Sequence, residues 1–422
     1  MSLLIAIIGL GLLIFVHEAG HFLTALVVGM RPRSFNIGFG PPLAKTTRKG
    51  IVYAIRGIPL GGYVKIPGMH RPAPSDVDVH FATAIREAPE LTGPAERMKR
   101  LLKAGEIEGA HAALETLRGE VKAAKLSPEG RRAADRGLTE LGDGIGSDAY
   151  WRQTTWRRIA VIIAGPGANV ICSLFLFWIF FMAGNGVVTR TVDYVDPTKD
   201  AARIELMRGD EILNVTLTRP TREQLAAFAR NPVPAETIPG LVRASKGRNI
   251  WLSVRRKSEL HRLGPGVAAQ EKEKGKPKGP YLLGFGLRGT GLPVGDAAWR
   301  SVKVTGIVSK EIVLSLGRLV HKEQRDEISS PVGIVDQSSD TLRQGVAPYL
   351  GVLGLISLSL ALLNLLPLLP LDGGHIAFSL IEGVRGRAVP RAVYERVSAV
   401  GIALVLLLFF VGLSNDIGRI GG

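Results

Sequence analysis

The reading of this chain turns on SLLIAIIGLGLLIFVHEAGHFLTALVVG, residues 2–29. At about 1.5 Å per helical residue the run outreaches a hydrocarbon core of about 30 Å. It has no basic leader, exceeds the usual length of a signal-peptide apolar region and shows no evident small-residue cleavage site, so an uncleaved span is expected. Within it stand three ionisable side chains, His17, Glu18 and His21. Such groups are costly at membrane depth unless they pair or bind something.

His17-Glu18-Ala19-Gly20-His21 sets two imidazoles four residues apart on one helical face, with Glu18 projecting beside them. That spacing fits a zinc hydrolase. A catalytic zinc takes three protein ligands and a water, and a neighbouring carboxylate removes the water's proton. The bland alternative makes the histidines hydrogen-bonded packing residues, but it does not explain three ionisable groups in one apolar helix. A third ligand is still needed.

The expected one is Asp372, in Asn364-Leu-Leu-Pro367-Leu-Leu-Pro370-Leu371-Asp372-Gly373-Gly374-His375. It follows an uncharged apolar block and precedes a flexible Gly pair. His375 competes with it, only three residues on. Pro367 and Pro370 should break the helix before Asp372, freeing backbone groups that are tolerable at membrane depth only where they line protein or a wet cavity. As an alternative, the Pro and Gly residues simply end a helix at the interface.

Spans are expected at 2–29, 159–188, 346–371 and 397–415; the last three contain no Asp, Glu, Lys or Arg. The first and third loops pool Arg31, Arg33, Lys45, Arg48, Lys49, Arg152, Arg157, Arg158, Arg385, Arg387, Arg391 and Arg396 near span ends. The middle loop offers Arg190, Lys199, Arg203 and Arg343. The positive-inside bias then puts the first and third loops in the cytoplasm and both termini and the middle loop outside. First and third spans both run inward, which brings His17, His21 and Asp372 to similar depth.

The remaining sequence divides by composition. Residues 30–70 are Gly- and Pro-punctuated with β alternation, expected as strands near the membrane surface. Residues 71–150 turn Ala-, Glu-, Arg- and Lys-rich with helical spacing and are expected as a charged helical hairpin inserted on the cytoplasmic side. Residues 189–290 alternate β-rich runs with turns, as a small soluble domain does. Residues 291–345 are expected to hold an amphipathic helix from Asp296 to Leu319, then an irregular SPVGIV at Ser330. Residues 346–390 hold the third span, the Asn364 motif and a short loop.

The formal charge of +16 over 422 residues does not indicate nucleic acid, because Lys and Arg are spread over loops without an aromatic-interleaved basic domain. The run EKEKGKPKGP at 271–280 is expected as an exposed loop. Cys172 is the only cysteine, which excludes a disulfide framework and a cysteine-ligated zinc.

Several ordered motifs resemble the site-2 protease family of intramembrane zinc metalloproteases, in particular the bacterial regulators of sigma-E protease type that carry a PDZ domain. They are HEAGH at His17, FNIGFGP at Phe35, IPLGGYVK at Ile58, AGPGANV at Ala164, SPVGIV at Ser330, NLLPLLPLDGGH at Asn364 and LSNDIGR at Leu413. The resemblance implies Zn2+ on His17, His21 and Asp372, Glu18 as general base, Asn364 holding substrate backbone, and Asn169 near the site on a neighbouring helix, also as a substrate-binding residue. It implies that 196–215 belongs to a PDZ-like fold and that 35–67 guides extended substrates to the zinc by strand addition. Leu369 stands where the family usually has proline, with Pro370 one residue later. Residues 69–148 match nothing in the family's core.

The expected architecture is therefore a multi-pass α-helical membrane protein of about four spans, with a membrane-associated β element, a helical cytoplasmic insertion and an extracytoplasmic PDZ-like α+β domain. The expected partners are the lipid bilayer and single-span membrane proteins already cut on their outer side, such as anti-sigma factors or signal-peptide remnants, in a bacterial inner membrane. A noncatalytic metal transporter or a PDZ-bearing scaffold is the rival reading. Glu18 within the HExxH turn and the lack of an inverted repeat between the halves speak against it.

Overall fold

The computed structural model describes residues 2–270, 280–318 and 331–420. Four helical stretches are long and apolar enough to cross a membrane: Ser2–Val27, Thr155–Gly184, Val346–Asn364 and Ala392–Ile417. The chain is a multi-pass membrane protein. Most of the run 271–280, expected as a loop, lies outside the described residues, as do Leu319 and Ser330.

The chain forms two compact units. The first comprises Ile7–Cys172 and Ser357–Leu407. It begins in α1 (Ser2–Val27), an apolar helix with no acidic residue in its first turn and no basic one in its last. The antiparallel strands β1 (Ser34–Arg48) and β2 (Ile51–Lys65) follow, joined at Lys49 and Gly50, whose φ values of 50° and 77° suit a tight hairpin turn. Because β2 curls, Ser34–Ile37 has partners on both sides, Val52 to Ile55 on one and Lys65 to Gly62 on the other. Phe35 and Ile51 pack with Phe22 of α1, which fixes the sheet against the helix that bears the histidines.

The insertion is not a hairpin. It folds as four helices, α2 (Pro74–Glu87), α3 (Thr92–Ala104), α4 (Ile107–Ala123) and α5 (Pro128–Ile145), around Phe81, Leu91, Met98, Leu117 and Leu141. Pro89 and Pro128 at first turns, and Gly105 capping α3 with φ 77°, divide what charge spacing alone reads as two long helices. Asp143 holds Arg33 Nε at 2.7 Å and Lys65 Nζ at 3.3 Å, and Asp148 takes Arg33 Nη1 at 2.8 Å, so the insertion is ion-paired to the end of β2 and to the residue just before β1.

After α6 (Thr155–Phe180), this unit takes up the end of α12 (Val346–Asn364), then α13 (Asp372–Arg385) and most of α14 (Arg391–Ile420). The third apolar block is thus helical only to Asn364. Between Leu365 and Leu371, Pro367 and Pro370 each lack the N–H that a continuing helix needs. The fourth helix runs past the expected 397–415 at both ends.

The second unit comprises Met1–Ala6, Ser173–Ile356 and Leu408–Gly422. Its sheet has the order β6-β5-β4-β3-β9, all antiparallel: β3 (Val187–Val195), β4 (Glu211–Thr216), β5 (Asn249–Arg256), β6 (Glu259–Val267) and β9 (Phe285–Thr290). Short strands β7 (Ala269–Gln270) and β8 (Tyr281–Leu282) pair separately. Val192, Ile212, Ile250 and Leu252 pack with Ile204, which follows α7 (Asp200–Arg203), and with Ile238 and Val242 of α9 (Ile238–Ala244); α8 (Arg222–Arg230) precedes α9.

Helix α10 (Val294–Arg318) is followed by α11 (Pro331–Gln344), so SPVGIV, expected to be irregular, enters a helix. Pro331 opens it, where a missing N–H leaves no bond unmade. The Gly333 N–H donates to Asp416 Oδ2 at 3.2 Å, which joins this motif to the LSNDIGR motif eighty-odd residues later.

Candidate metal centre

Helix α1 supplies His17 and His21, each 7 % exposed, and the first residue of α13 supplies Asp372. Asp372 Oδ2 lies 3.2 Å from His17 Nε2 and 3.3 Å from His21 Nε2, and the two Nε2 atoms are 3.3 Å apart. Among the described residues these three form the one cluster of its kind.

The protons on this triangle can be assigned from its surroundings. His21 Nδ1 donates to the Val161 carbonyl on α6 at 2.8 Å, so its neutral ring presents a bare Nε2. His17 Nδ1 faces the Asn169 side-chain amide, with Nδ2 at 3.4 Å, while Asn169 Oδ1 is buried without a partner. Exchanging the amide's O and N gives His17 Nδ1–H an acceptor and satisfies the orphaned oxygen. His17 Nε2 is then bare as well. Asp372 Oδ2 is itself buried without a hydrogen bond.

With both rings in these tautomers, three lone pairs converge on one point, an arrangement that a bound cation relieves. Two nitrogens and a carboxylate oxygen at about 2.0–2.2 Å from a tetrahedral zinc would stand about 3.4 Å apart, close to the spacing observed. The donor set fits zinc.

Glu18 is half-buried beside this triangle, next to β2: a Cβ added at Gly62 would lie 3.0 Å from Glu18 Cγ. Asn169, on α6, backs His17, and its own carbonyl accepts from Ser357 Oγ at 2.8 Å. Asn364 closes α12, and its Nδ2 donates to Leu360 O at 3.0 Å. His375, one turn into α13, is not part of the converging set.

Two contributors went unread in the sequence. Val161 acts through its backbone carbonyl, which residue type does not reveal. Gly165 acts by what it lacks, since a Cβ there would meet His21 Nε2 at 2.2 Å. Its signal was the small-residue motif AGPGANV, which marks close helix approach. Gly20 is the counterpart on α1, where a Cβ would meet the Ala164 carbonyl oxygen at 2.3 Å.

A family model described as Peptidase family M50 matches residues 5–408. Zinc metalloprotease RasP of Geobacillus kaustophilus (strain HTA426) is 27 % identical over 99 % of this chain and 98 % of its own length. Zinc metalloprotease RasP of Bacillus licheniformis is also 27 % identical, over 97 % of each chain. A chain from Rhizobium meliloti (strain 1021) is 28 % identical over 98 % of this chain and 95 % of its own. The family match runs through every element that carries a residue of the metal cluster, from α1 to α13, and the chain belongs to peptidase family M50.

Proposed function

We propose that this chain is an intramembrane zinc metalloprotease of the site-2 type, in which His17, His21 and Asp372 hold the ion and Glu18 is the general base. The convergence of three buried ligand atoms, two imidazole Nε2 and one carboxylate oxygen, beside a further carboxylate is the observation that carries the reading. A zinc held by His17, His21 and Asp372 would supply Lewis acidity, polarising a peptide carbonyl and bringing the pKa of a water toward neutrality. Glu18 takes the proton that water gives up and delivers it to the leaving amine nitrogen, so that the C–N bond breaks with a neutral amine departing. Val161 and Asn169 keep each imidazole in the tautomer that presents Nε2.

Its substrates are membrane proteins. An unwound segment needs partners for its backbone groups, which β2 offers by strand addition and Asn364 by its amide. The unit that includes 189–290 is read as PDZ-like and extracytoplasmic, filtering out substrates whose outer domain has not yet been removed; anti-sigma factors and signal-peptide remnants are the expected classes. The distribution of Lys and Arg supports cytoplasmic placement of the insertion in a bacterial inner membrane.

The test compares wild type, Glu18→Gln, Asp372→Asn and His375→Ala on single-span substrates, with zinc measured in each. Glu18→Gln should keep its zinc and lose cleavage by at least about a hundredfold. Asp372→Asn should lose both, and His375→Ala should keep its zinc. Equal cleavage by wild type and Glu18→Gln would remove the base, and stoichiometric zinc without any cleavage by wild type would favour a transporter or scaffold.

A further inference from the structure

Where α1 ends and the β1–β2 turn folds back, a cavity of about 570 Å3 is lined by Arg31, Arg48 and Lys49 together with Leu26, Ile51 and Tyr53. Among the described residues no acidic side chain lines it and none of its three cations forms an ion pair. The convergence is built into the backbone. Lys49 and Gly50 take left-handed φ values at the turn, and Arg31 Nη2 donates to the Lys49 carbonyl, so the strand tip is tied to the chain leaving the first span. Like charges gathered in this way repel unless an anion lies among them.

From this we infer that the cavity is a binding site for the headgroup of an anionic phospholipid. Its place argues for a lipid over a soluble anion. Arg31 lies four residues beyond Val27, where the first span ends, so the three charges sit at headgroup level. The apolar floor of Leu26, Ile51 and Tyr53 is continuous in sequence with Leu23 and Val27, both exposed on the last turn of α1 as an acyl chain requires. Basic pockets at the ends of spans take acidic headgroups, each cation adding to an attraction that salt screens. The volume falls within the usual range for a small-molecule site. A headgroup held there would pin the turn to the membrane surface and, through the same strand pair, steady the end of β2 that lies against Glu18.

The site can be tested apart from peptide cleavage by using full-length Glu18→Gln protein in mild detergent. Native mass spectrometry would measure retention of added phosphatidylglycerol and phosphatidylcholine, with inorganic phosphate as a third ligand. Phosphatidylglycerol should be retained over phosphatidylcholine, and Arg48→Gln/Lys49→Gln should weaken its binding by roughly thirtyfold, two surface cations' share of the attraction. Lys49→Glu, a single change at an exposed turn, should weaken it as well, and all variants should keep wild-type zinc content as a check on folding. Unchanged phosphatidylglycerol retention in both variants, or binding of inorganic phosphate as tight as that of the lipid, would overturn the assignment.

Discussion

Arg158 Nη2 and Glu382 Oε2 are 2.6 Å apart in a buried ion pair whose side chains are only 8 % and 12 % exposed. Glu382 Oε1 also accepts from the Val389 N–H at 2.9 Å, Arg158 lies over the Tyr150 ring at 5.0 Å, and the Tyr150 hydroxyl meets Ser379 Oγ at 3.0 Å. Arg158 is on α6, which carries Val161 and Asn169; Glu382 is on α13, which begins at Asp372. The pair therefore fixes the helix that begins at Asp372 against the helix whose Val161 and Asn169 face the two imidazoles.

Removing one partner should do far more harm than removing both. Glu382→Ala leaves a buried guanidinium uncompensated, a loss of about 3–5 kcal/mol, whereas Arg158→Met with Glu382→Leu deletes the charge and keeps the volume. The single variant should unfold at clearly lower temperature and hold less zinc, with the double variant close to wild type in stability. Equal losses in both would show that packing at these positions, not the ion pair, sets the position of α13.

Gly165 offers a sharper test of the metal centre. His21 has no room to retreat from an added methyl group, because its Nδ1 is anchored on Val161 O. Gly165→Ala should weaken zinc binding by about 10–100-fold, the range seen when groups that orient a ligand are lost. Gly167→Ala is the matched control: it lies on the same helix with nothing within 4 Å of an added Cβ, and alanine favours the helix by about 1 kcal/mol. Competition with a chelator of known affinity separates the two variants. A similar loss in both would mean that the effect comes from the helix and not from His21.

These contrasts also mark what the sequence could and could not disclose. His17, Glu18 and His21 were legible because a helix repeats every 3.6 residues, so one short string fixes their common face. Asp372 was legible through depth, since a count of four spans makes the first and third run the same way, which brings it level with the histidines. The four helices of the insertion were hidden by their charge, which obscured the buried stripe of Ala110, Ala113, Leu114, Leu117 and Val121. SPVGIV looked irregular because Pro and Gly weigh as breakers when their place in the first turn is unknown. The acceptor for the Gly333 N–H, Asp416, comes from the far end of the chain, and no local pattern announces it.

The insertion carries its own titration signature at Glu87. This exposed carboxylate accepts from Ser127 N–H at 2.8 Å and Ser127 Oγ at 2.7 Å, while Ser127 Oγ caps α5 by accepting from the Gly130 N–H at 3.0 Å. Hydrogen bonds to the ionised form hold the Glu87 carboxyl below its ordinary range. A folded pKa below the unfolded value of about 4.3 means stabilisation that is fully present above that value and lost as pH falls through the lowered one. Glu87→Gln should therefore melt below wild type at about pH 7, and the gap should narrow progressively as the pH is taken below the unfolded value of about 4.3. Circular dichroism of the full-length protein in detergent reads both curves. A gap that persisted undiminished in acid would assign the effect to the geometry of the bonds and not to the charge of Glu87.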